Sequence, residues 1–188
     1  EAKQMVAGLL ARHIYAEDDD ELETVIVREL TARNQTLALA ESCTGGCIAH
    51  RITNVPGASA VLIAGLVTYA NKAKTRFVGV QPESLAENGA VSEPVCREMA
   101  EGARRETGAD YALAVTGIAG PAGGSPDKPV GTVFIAVSSA QGTVVLKQLN
   151  RYERVTFKQV TAQQALELLR QRVMDKENPQ ARTCGFQI

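Results

Sequence analysis

Apolar runs of strand length alternate with segments of helical period along this chain, and that alternation leaves few folds open. Thr36–Ala40 is a compact strand candidate that runs through Glu41 into Ser42, and Gly45-Gly46 opens a helix reaching about Ile52. After the turn Asn54-Val55-Pro56-Gly57, Val61–Tyr69 reads as a buried strand and Lys72–Val78 as a short helix. Pro94 suits the first turn of a helix ending near Thr107, with Ser92 as its cap. Tyr111–Thr116 is another apolar strand, and Gly117–Pro129 a loop dense in Gly and Pro. Gly131–Ser139 and Thr143–Leu149 form a hairpin about Gln141-Gly142, and Arg154–Met174 a long amphipathic helix. Upstream, Met5–Ile14 reads as a short apolar helix, and Leu22, Val25, Ile26 and Leu30 recur at helical spacing. Strands separated by helices predict an α/β fold. The expected form is a three-layer α/β/α sandwich, its sheet mixed and mostly parallel with an antiparallel edge hairpin.

A length of 188 residues with 45% hydrophobic side chains suits one domain with a substantial core. We place it at residues 21–175, with 1–20 as a linker or the end of a preceding domain and 176–188 as an irregular tail. The chain opens on Glu1 without Met, which fits a piece of a longer protein. A net charge of −1 and 4% aromatic residues predict no nucleic-acid partner and no anionic membrane surface. The longest apolar run, near Ala58–Tyr69, is too short to span a bilayer, and no secretory leader is visible. Cys43, Cys47, Cys96 and Cys184 read as reduced thiols of a cytoplasmic protein, packing near the core. Two cysteines at helical spacing do not make a zinc site, so no metal is expected.

Three strand ends carry the chemistry. Ser42 closes the first strand and is followed by Thr44, Gly45 and Gly46, whose amides at a helix start can hold a phosphate or an oxyanion. The junction is neither Gly-x-Ser-x-Gly nor a Gly-Lys-Ser/Thr phosphate loop. Read alone, Ser42 is equally a capping serine. A serine nucleophile needs a base. His13 precedes the fold and His50 lies two turns along the helix away from the strand end, so a histidine triad is not expected. Lys74, just past the second strand end, can act as base if burial lowers its pKa, with Tyr69 orienting it or relaying protons. A solvated helix lysine fits the same spacing. Thr116 and Gly117 at the third strand end add a hydroxyl and a close backbone approach. Cys43 is a competing nucleophile if the helix start acidifies its thiol. A short-chain dehydrogenase is excluded because four residues separate Tyr69 from Lys74 and no dinucleotide loop follows the first strand.

Six ordered segments then match a known family. They are Leu39–Gly46, Pro56–Ser59, Thr68–Lys74, Gly89–Ser92, Ala114–Pro121 and Lys128–Gly131. With them, residues from about Leu22 to Val173 resemble the CinA C-terminal domain family, the nicotinamide-nucleotide amidases. The resemblance implies hydrolysis of nicotinamide mononucleotide to nicotinate mononucleotide and ammonia. Ser42 would be the nucleophile, with Lys74 and Tyr69 as base and proton relay and no cofactor. It also implies a homodimer or higher assembly and, in two-domain members, an upstream nucleotide-processing domain. Arg154 falls where the family has an arginine before its last helix, a phosphate-binding candidate with the Thr116–Gly120 loop. This chain reads Asn150-Arg151-Tyr152-Glu153-Arg154 there and not the family's Gly-Asp-Arg form. A non-catalytic nucleotide-binding or regulatory module is the competing reading.

Overall fold

The computed structural model describes residues 14–16 and 19–174. Residues 5–13 of the expected helix Met5–Ile14, with His13, Cys184 and the tail from 176, lie outside the described residues. The elements are α1 (Leu22–Ala32), β1 (Leu37–Glu41), α2 (Cys47–Thr53), β2 (Leu62–Val67), α3 (Asn71–Val78), α4 (Pro82–Asn88), α5 (Glu93–Thr107), β3 (Tyr111–Gly117), β4 (Thr132–Ser139), β5 (Gly142–Leu149) and α6 (Arg154–Met174). One five-stranded sheet runs in the order β2-β1-β3-β4-β5. β2 and β3 pair parallel with β1, while β4 and β5 add antiparallel beyond β3, the β4–β5 hairpin forming one edge. The sheet is therefore mixed, with two parallel and two antiparallel pairings.

The layering follows from strand alternation. Successive side chains point to opposite faces. In β1, β3 and β4 the large residues Leu37, Leu39, Tyr111, Leu113, Val115, Val133, Ile135 and Val137 fall on one face. They pack with Leu22, Ile26 and Leu30 of α1, Ile48 and Ile52 of α2, and Phe157, Leu166 and Leu169 of α6. The other face carries Ala38, Ala40, Ala112, Ala114 and Ala136, against Val95, Cys96, Met99 and Ala103 of α5 and Val78 at the end of α3. Alanines let that helical layer sit close. A Cβ on Gly102 of α5 would collide with the carbonyl oxygen of Val78, so α5 and the end of α3 meet backbone to backbone.

Two expectations are corrected. Residues 61–69 hold an edge strand and not a buried one: Ile63 is 53% and Val67 50% exposed, because only the short helix α2 covers that face. Apolar composition cannot separate edge from centre. Ser92 precedes α5 but makes no side-chain cap; its hydroxyl donates to the Gly89 carbonyl at 2.9 Å. Helix α4, with Pro82 in its first turn, was not apparent from the pattern. Among the described residues no helix is long and apolar enough to cross a membrane.

Candidate active site

Parallel pairing aligns the C-terminal ends of β1, β2 and β3, with Glu41 opposite both Val67 and Val115. The next residues therefore share one rim. Ser42 is fixed there by its amide, which donates to the Val115 carbonyl at 3.0 Å. Lys74, in α3, turns back from the second strand end and is almost wholly buried at 1% exposure. Its Nζ lies 3.1 Å from Ser42 Oγ, 2.8 Å from the Thr68 carbonyl oxygen and 3.2 Å from that of Tyr69. Residues 32 positions apart are thus brought into hydrogen-bonding distance. Burial, which disfavours the ammonium, holds the Lys74 pKa below its ordinary value against a smaller opposing effect from Cys43.

The three contacts define a direction. A neutral amine has two N–H bonds and one lone pair. The Thr68 and Tyr69 carbonyls accept two N–H groups, and the third position on Nζ faces Ser42 Oγ, as an N–H in the ammonium or as the lone pair in the neutral amine. Two backbone carbonyls therefore orient the Lys74 amine toward Ser42.

The turn after Ser42 differs from expectation in one respect. Gly45 and Gly46 adopt positive φ (61° and 93°), which bends the chain into α2. Their amides are already engaged, however. Gly45 N donates to the Ser42 carbonyl at 3.1 Å. The buried carboxylate of Glu41 accepts from Gly46 N at 2.9 Å, Ile48 N at 3.2 Å and Ala49 N at 2.8 Å. Glu41, whose role sequence reasoning missed, thus closes the start of α2. The only signal was a carboxylate between an apolar strand and a Gly-Gly helix start. The amides of Cys43 and Thr44 have no backbone acceptor among the described residues. Thr44 is fully buried, and among the described residues its hydroxyl has no hydrogen-bond partner.

Tyr69 hydrogen-bonds Lys74 through its carbonyl. Its ring is 57% exposed, and its hydroxyl accepts from Arg154 Nη2 at 2.7 Å. Arg154, first residue of α6, also donates through Nη1 to the Gly120 carbonyl at 2.9 Å, tying the second and third strand-end loops together. Glu153 accepts from the Val155 and Thr156 amides at 2.9 and 2.7 Å, so α6 too begins under a carboxylate of its own chain. Thr116 is buried, and its hydroxyl donates to the Ala90 carbonyl at 2.8 Å, while Gly117 packs tightly on Thr132 and Val133. Cys43 is buried, and that burial pushes its thiol up to about 12. His50 is exposed on α2 and faces Asn54.

The family model for the CinA C-terminal domain matches residues 19–173. The chain belongs to that family. A CinA-like protein of Anaeromyxobacter sp. (strain K) is 50% identical over 168 residues, covering 89% of this chain and 41% of the relative. The chain thus spans about two-fifths of the length of the curated relatives it matches. Among solved structures, the competence/damage inducible protein CihA of Agrobacterium tumefaciens is 44% identical, with a TM-score of 0.74 over 79% of this chain and 91% of that one. The competence damage-inducible protein A of Klebsiella pneumoniae subsp. pneumoniae is 34% identical, with a TM-score of 0.78 over 85% and 97%. In this CinA C-terminal domain, Ser42, Lys74, Tyr69 and Arg154 line one rim.

Proposed function

We propose that this domain is a serine amidohydrolase that deamidates nicotinamide mononucleotide, the activity its family resemblance implies. The observation that carries the reading is the 3.1 Å approach of the buried Lys74 amine to Ser42 Oγ. Lys74 takes the hydroxyl proton as Oγ attacks the carboxamide carbon. The developing oxyanion is held by the amides of Cys43 and Thr44, next to the nucleophile, since those of Gly45 and Gly46 are engaged within the turn. The protonated Lys74 then supplies the leaving ammonia with its proton. Water, deprotonated by the same amine, frees the acid and regenerates Ser42. Arg154 serves the substrate's phosphate. A module that only cradles phosphate on the Ser42 turn fits less well, because Glu41 holds the amides such a cradle needs.

The test is ammonia release from nicotinamide mononucleotide by wild type, Ser42→Ala and Lys74→Ala. Turnover by wild type and loss in both variants, with nucleotide binding kept by Ser42→Ala, supports the reading. Absence of ammonia from the wild type sinks it.

A further inference from the structure

Arg154 and Lys158 stand four residues apart on α6, so their side chains share one face of that helix. Arg154 shows where the face looks: its guanidinium spans Gly120 and Tyr69 at the rim. One turn on, the Lys158 ammonium lies over the nucleophile's own turn. It sits 3.7 Å from the point where Gly45 would carry a Cβ, and beyond Gly45 and its two chain neighbours no other heavy atom of the described residues comes within 4 Å of that point. Its charge also reaches Cys47 at the start of α2, drawing that thiol's pKa down against the larger upward push of burial.

Lys158 is half-buried, and among the described residues its ammonium has neither a hydrogen-bond nor an ion-pair partner. The carboxylates at the rim are committed elsewhere. Glu41 faces the amides of α2, and Glu153 faces those of α6. The same two carboxylates remove the usual alternative for an anion. Helix N-terminal amides ordinarily receive phosphate, but both helices that begin at this rim are capped from within the chain. A phosphate entering between these two helix starts meets side-chain cations in place of their amides.

We infer that Lys158 holds the phosphate monoester of the substrate, between the Gly45 turn and α6 and beside Arg154, and so sets the preference for a nucleotide over its nucleoside. The inference rests on the amidase reading for the identity of the ligand, not for the existence of the anion site. Gly45 leaves the space, and the lysine stem gives the ammonium freedom to follow the phosphate.

The experiment is calorimetric binding of nicotinamide mononucleotide and of its dephosphorylated riboside to Ser42→Ala protein, alone and combined with Lys158→Ala or Lys158→Arg. Loss of one charge-assisted contact predicts roughly ten- to a hundredfold weaker nucleotide binding for Lys158→Ala. Riboside affinity stays unchanged, and Lys158→Arg recovers most of the loss. Added salt should weaken nucleotide binding less in Lys158→Ala than in its parent. Equal losses for the two ligands, an unaltered nucleotide affinity, or no nucleotide binding by the Ser42→Ala parent would each overturn the inference. Ammonia release by the wild type separates this from the amidase reading. Selective loss of nucleotide binding in a protein that releases no ammonia leaves the anion site standing without the chemistry. Turnover that survives with no phosphate selectivity does the reverse.

Discussion

Replacing Glu41 is the sharpest probe of how the site is built. Its carboxylate is 1% exposed, and two oxygens accept three amide N–H groups, with Oε2 taking Gly46 and Ile48 and Oε1 taking Ala49. These bonds, with the positive potential of the α2 start, offset the cost of burying the charge. Glu41→Ala leaves three donors without acceptors. The Ile48 amide is buried, whereas those of Gly46 and Ala49 lie in half-buried residues and can recruit water. With about 1–3 kcal/mol for each unpaired buried amide and less for the two that hydrate, the expected loss is roughly 2–5 kcal/mol. That is a large share of the ~5–15 kcal/mol that holds a typical domain together. Glu41→Gln keeps the shape and one carbonyl oxygen but turns an NH2 toward an N–H donor, so about 1.5–3 kcal/mol should go. Urea unfolding followed by circular dichroism measures both, and the slope should stay constant while the midpoint falls. Ammonia release should drop further than stability alone requires, because the turn that aims Ser42 is loosened. A Glu41→Gln protein with the wild-type midpoint and turnover would refute the reasoning.

Two further outcomes follow from the titrating groups. Lys74 must be neutral to accept a proton, so kcat/KM should rise with pH through its lowered pKa and then level off; a rate flat from pH 6 to 10, read by ammonia release, contradicts this. The folded-state pKa lies below the unfolded value, so between the two the unfolded chain binds more protons and stability rises with pH, with the full penalty below the folded value. In urea melts, Lys74→Met should therefore gain most over wild type on the acidic side. Cys43, held as a thiol by burial, should resist alkylation in the native protein at neutral pH, and Cys43→Ala should keep turnover within about threefold, since only a small packing change accompanies it.

The rim was legible because parallel strands separated by helices place their C-terminal ends together whatever the intervening lengths. Ser42, Lys74, Thr116 and Arg154 could be gathered on that rule and the family motifs. What each group bonds was not legible. Nothing in the spacing distinguishes a Tyr69 that serves Lys74 by its hydroxyl from one that serves it by its carbonyl, because the two differ only in backbone direction past β2. Glu41 escaped notice for a related reason. A carboxylate ending an apolar strand reads as solvated until the glycines beyond it, at positive φ, fold α2's first amides back over it. The Leu-Ala-Leu-Ala of β1 and Tyr-Ala-Leu-Ala of β3 did hold the two-faced character of the sheet. The exposure of β2 did not show, since edge position depends on strand order.

The alanine-lined face gives the Ser42–Lys74 contact an unusual dependence. Large side chains on the opposite face can be trimmed and the layer resettles, leaving at worst a void. On the small-residue face, one added methyl group has nowhere to go but outward, and it carries α5 with it. Because α5 meets the end of α3 through Gly102, such a push moves the helix that delivers Lys74. The distance between amine and hydroxyl is thus gauged by methyl groups a whole layer away.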